Sequence, residues 1–177
     1  MKTKKYLRMI HLGLLCSLLS VSCRSYMTLK NKDFIKIDEN FNGNYKSASV
    51  FIDSIKTKRN TNIQSLFGLK NNDSDLFFKI NSKSELEIEY KNILGGTEKR
   101  FFKGKFRRKY FEIYLEKKRI PFAPIYSITS INRLRVAIDN QNNLVINHYE
   151  NHSGMILLMA GGSSIKEQFI FKQTINK

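Results

Sequence analysis

Cysteine is almost missing from this chain. Its 177 residues hold two, Cys16 and Cys23, both close to the N-terminus. Tryptophan is absent, and histidine occurs three times. Acids are scarce, 15 against 31 lysines and arginines. The longest largely apolar run, Met9 to Leu19, falls short of the roughly 20 residues that a helix needs to cross a bilayer. Each shortage excludes something. If both cysteines are used in export, no thiol is left for a disulfide, a catalytic nucleophile or a thiolate metal site. The fold must then rest on core packing alone, and the 155 residues from Cys23 onward are enough for one domain with a real core.

The N-terminus is the most informative stretch. Lys2, Lys4, Lys5 and Arg8 precede the apolar run, and Ser20-Val21-Ser22-Cys23 follows it. A basic start, a short apolar stretch and a small-residue cleavage site read as a secretory signal peptide over residues 1–22. A cysteine directly after small Ser22 resembles the bacterial lipobox. The resemblance implies that Cys23 receives lipid and becomes the new N-terminus. Acyl chains contribute about 0.8 kcal/mol per buried methylene, which anchors a chain firmly when two or three are present. Arg24 stands where an Asp would resemble an inner-membrane retention signal. The expected location is therefore the outer membrane, facing the periplasm. Residues 23–40 are polar and aperiodic, which predicts a lipidated N-terminus and tether.

Removing residues 1–22 takes away four basic residues and no acid, leaving 27 against 15. In an exported protein this balance speaks against nucleic acid and for anionic lipid head groups. The densest stretch runs from Lys99 to Lys109, and Lys103, Lys105, Arg107 and Arg108 are its candidate anionic-surface contacts. Lys117-Lys118-Arg119 is a second cluster. The plainer reading of both is solvated strand edges and hairpin tips, where lysine discourages edge pairing.

Residues 41–177 read as a single all-β domain. Thr61 to Lys70 has helical spacing and predicts one short helix after a first strand at Phe41–Tyr45. Strands follow. Leu86, Ile88 and Tyr90 alternate with Glu85, Glu87 and Glu89, a period only a half-buried strand uses. Gly95-Gly96 marks a turn. Phe102, Gly104 and Phe106 share a face. Phe111, Ile113 and Leu115 are expected opposite Glu112, Tyr114 and Glu116. Pro121 and Pro124 flank a short extended piece that belongs at an edge or bulge. Leu134, Val136 and Ile138 oppose Arg133 and Arg135. Asn140 to Asn143 is a turn, answered by Leu144 and Ile146. Met155 to Ala160 is apolar on both faces, and Gln168 to Thr174 closes the chain. About ten strands with short links predict an antiparallel up-and-down meander, which tends to close into a barrel or half-barrel.

This order is similar to that of calycins, the lipocalins and fatty-acid-binding proteins. Gly43-Asn44-Tyr45 resembles the Gly-x-Trp of the first lipocalin strand, with tyrosine in place of tryptophan. The resemblance implies a barrel that could hold an apolar or amphipathic ligand, lined by Phe102, Phe106, Phe111, Ile113, Leu134, Val136, Leu144 and Ile146. A barrel of this size can equally be filled by its own side chains. The alternative expectation is a structural or protein-interaction lipoprotein with a filled core.

Catalytic motifs are missing: there is no Gly-x-Ser-x-Gly elbow, phosphate loop or His-Glu-x-x-His. Neither a catalytic residue nor a cofactor is therefore expected. His148, Glu150 and His152 would share a face on a strand, but Asn151 to Gly154 reads as a turn, so no metal site is expected. Gly161-Gly162-Ser163-Ser164 reads as a turn as well.

Overall fold

The computed structural model describes residues 33–50, 61–69, 74–81, 84–122, 125–157 and 159–174. The signal segment and Cys23 lie outside the described residues. In chain order the elements are β1 (Phe34–Ile35), β2 (Asn42–Tyr45), α1 (Ile63–Phe67), β3 (Leu76–Asn81), β4 (Glu85–Lys91), β5 (Thr97–Phe106), β6 (Phe111–Phe122), β7 (Tyr126–Asp139), β8 (Leu144–Ile156) and β9 (Met159–Phe171). Strands β2 to β9 pair antiparallel in sequence order, and from β3 onward the short connections leave no room for crossovers. The sheet curls into a half-barrel. At one end its two edges meet: Lys46 N–H donates to Lys172 O at 3.0 Å, Val50 N–H to Ile170 O at 2.7 Å, and Thr174 N–H to Asn44 O at 2.8 Å.

The all-β expectation and the short helix hold, but part of the segment expected to be a tether belongs to the fold. β1 falls inside residues 23–40 and pairs with the end of β7, Phe34 opposite Asp139. Phe34 and Ile37 are buried. Their apolar side chains gain more from the sheet than from solvent, which an aperiodic pattern does not reveal.

One core holds β2 to β9 and α1 together. Phe67 of α1 meets Phe78 edge-on at 5.9 Å between ring centres and Phe102 at 5.2 Å. Asn62 caps the helix by accepting from Gln64 N–H at 3.1 Å. Two glycines are set by rings. A Cβ on Gly43 would sit 2.9 Å from the Tyr45 ring, and one on Gly104 2.3 Å from Phe111. Burial raises the Tyr45 phenol to about 12, helped by the Asp139 charge.

Strands β6 to β9 are the surprise. They run 12 to 14 residues each. The pieces expected separately at 121–128 and 155–160 instead each span the end of one long strand and the start of the next, Phe122 to Tyr126 and Ile156 to Met159. Asn151 to Gly154 is strand rather than turn. Cross-strand hydrogen bonds carry these strands past the core, where neither face is buried, so no hydrophobic period marks them. A bulge between Tyr114 and Glu116 changes the faces of β6. Leu115 is consequently 36% exposed instead of inward.

Candidate functional site

β5 pairs with β6 only over Phe111–Ile113. From Tyr114 onward β6 is a free edge, and it is here that Pro121 and the Lys117-Lys118-Arg119 run lie. Beyond the core, β6 to β9 form a four-stranded blade. Its residues are exposed or half-buried on both faces, apart from Ser130.

The outer face of the blade root carries a cation–tyrosine ladder. Pairing sets Tyr114, Arg133, Tyr149 and Lys166 side by side across four strands. The Arg133 guanidinium lies 5.0 Å from the Tyr149 ring centre, and Lys166 Nζ lies 5.7 Å from it. Lys117 and Lys105 approach Tyr114 at 5.1 and 5.9 Å, and Arg135 approaches Tyr110 at 4.5 Å. Beneath them sits Glu112, only 2% exposed. Arg135 Nε donates to it at 2.9 Å, with Arg107 and Arg133 at 3.5 and 3.6 Å. Burial alone would raise this carboxyl, but the Arg135 hydrogen bond and the charges of Arg135, Arg133 and Arg107 hold it below the usual range. Sequence pattern had placed Glu112, Arg133 and Arg135 on a solvated face.

The four candidate anionic contacts have different surroundings. Lys103 is paired in register with Glu85, Lys105 leans on Tyr114, Arg107 pairs with Glu112, and Arg108 is exposed in the turn. Nearby, Lys99 bridges Glu87 at 2.7 Å and Glu89 at 3.2 Å. Those carboxylates offset part of the basic stretch.

On the inner face, the bulge brings Glu116 into one row with Asn132 and Glu150. Ser130 Oγ donates to Glu116 at 2.6 Å and lies 3.0 Å from His152 Nδ1, while His152 Nε2 is 2.8 Å from Glu150. His148 and His152 do share the face of Glu150, as a strand requires. His148, however, is turned to Asn132 at 3.2 Å. Among the described residues no group of three or more possible ligands is placed to hold a metal. The Ser130 hydroxyl donates to the Glu116 carboxylate, and the direction of its contact with His152 Nδ1 follows the imidazole tautomer.

Six of the eight residues expected to line a ligand cavity, Phe111, Ile113, Leu134, Val136, Leu144 and Ile146, are 0–1% exposed in the main core. Phe102 and Phe106 are partly buried and pack against it. Open clefts lie elsewhere among the described residues. One of about 420 Å³ is bordered by Asp33, Asp139 and Lys172. Another, of about 480 Å³, is a trough of small residues on the blade's outer face, from Ser127 to Ser164.

Comparison of the chain with family models, characterised proteins and solved structures returned no match.

Proposed function

We propose that this chain is a non-enzymatic lipoprotein of the bacterial envelope, held by lipid on Cys23 at the periplasmic face of the outer membrane. Its core is filled, and it works as an interaction module through the uncovered blade. The observation that carries this reading is the burial of the would-be lining residues in one core. A calycin-like carrier would spend those same side chains on a ligand. The cation–tyrosine ladder supports an anionic partner surface, since five cations face outward there around one buried carboxylate. The basic N-terminus, apolar run and Ser22-Cys23 junction support the anchor.

The test combines acyl labelling with native mass spectrometry of the envelope-purified protein. Wild type should take up labelled acyl chain and fractionate with membranes. Cys23→Ser should take up none and become soluble. The soluble form should fly without a stoichiometric apolar ligand. A bound ligand would restore the carrier reading, and an unlabelled wild type would end the lipoprotein one.

A further inference from the structure

Past the row Glu116–Asn132–Glu150–Ile165, each blade strand continues for six residues, about 20 Å at strand rise. This outer third contains no Asp or Glu. Its only formally charged residues are Lys117, Lys118 and Arg119, all exposed on the β6 edge. Among the described residues, Lys118 and Arg119 make no ion pair. The end of the blade is apolar. Phe122, Ile125, Ile156, Leu157 and Met159 are 54–75% exposed. Scattered exposed apolar residues are ordinary, but five gathered on two adjoining hairpin ends are a contact surface.

The turn chemistry makes the same point independently. Ile156 pairs with Met159, so two residues link β8 to β9, and Leu157 is the first of them. Such loops call for Asn-Gly, because their backbone needs positive φ. Leu157 nevertheless occupies φ +47°. A bulky residue in the left-handed region is strained, and strain of this kind is kept where the side chain serves something other than folding. Ile125, the described residue between β6 and β7, is likewise apolar, whereas the turn at the other end of β7 is Asn140-Gln-Asn-Asn143.

We infer that the blade tip inserts into the interface of an anionic lipid bilayer, with Lys117, Lys118 and Arg119 as its collar. An apolar end meets the acyl boundary, and a basic, acid-free collar meets phosphate head groups. This deepens the interaction-module reading by naming its partner. The contact is separate from any anchor at Cys23, because the chain enters the sheet at Phe34, opposite the far end of β7.

The test is flotation of the unlipidated chain from Arg24 onward, which contains every described element, with vesicles of phosphatidylcholine with or without phosphatidylglycerol. Wild type should float with the anionic vesicles and not the neutral ones, more strongly at low salt. Phe122→Ser/Leu157→Ser/Met159→Ser should bind at least about tenfold more weakly. Lys117→Ser/Lys118→Ser/Arg119→Ser should lose about a hundredfold, at about fivefold per residue. Circular dichroism and melting should match wild type, since all six sites are exposed. The inference is overturned if wild type fails to float at low salt, or if the tip variant floats as wild type does. It is equally overturned if Ile93→Ser/Leu94→Ser alone abolishes binding, or if the tip proves to mediate self-association without vesicle binding. None of these outcomes depends on acylation or on a core ligand, so the module reading is judged separately.

Discussion

Glu112→Gln keeps the shape of a buried side chain and removes its charge. In the native sheet the Arg135 bond at 2.9 Å is charge-assisted, a type worth about 1.5–3 kcal/mol net. Arg133 and Arg107 stand further off, with side chains 23% and 47% exposed. Water screens them, and each adds at most about 0.5 kcal/mol. Glutamine still accepts one bond, of neutral strength near 1 kcal/mol, so the net loss should be about 2 kcal/mol at pH 7. The pH dependence carries a sign. The Glu112 pKa is lowered on folding, so its contribution is complete above the unfolded value of about 4.3 and disappears as pH falls through the lower folded value. Urea unfolding of wild type and variant should therefore show a constant gap from pH 7 to about pH 5 that narrows in acid. Equal stability at pH 7 would refute the reasoning. So would a gap that stays the same at the lowest pH where both still fold.

Four further substitutions probe the fold. Ile88→Asp, Ile113→Asp and Val136→Asp should each prevent folding, because each puts an unpaired charge at a site no more than 1% exposed; loss of the strand spectrum in circular dichroism is the readout. Gly104→Ala should destabilise by about 1–3 kcal/mol in thermal or urea unfolding, because its Cβ meets the Phe111 ring and the Glu112 carbonyl and something must shift; a neutral or stabilised variant would count against the close approach.

Much of the fold was legible. β4 at Glu85–Lys91 matches its predicted span, because its period of two follows from one wet face and one dry one. The turn at Gly95-Gly96 and α1 were legible for similar local reasons. The blade was not. Its residues satisfy each other by backbone pairing while both faces stay open, so no apolar alternation marks where β7 or β8 continues. The bulge at Tyr114–Glu116 was equally hidden, and it decided that Leu115 turns out and Glu116 turns in.

Sequence by itself determined the class of the fold, the antiparallel order and most of the core residues. These depend on periodicity and on connection length, both of which are local. It also determined that the exposed end of the blade is acid-free, which is a matter of composition. Only tertiary structure decided that the predicted lining residues pack against one another, since filling is a property of facing walls. Glu112 could be recognised as a buried counter-charge only once three strands had brought Arg107, Arg133 and Arg135 to it. Phe122, Ile125, Ile156, Leu157 and Met159 lie on two hairpins more than 30 residues apart in places. They become one tip because β7 pairs with β8 along its whole length, a register that no single strand encodes.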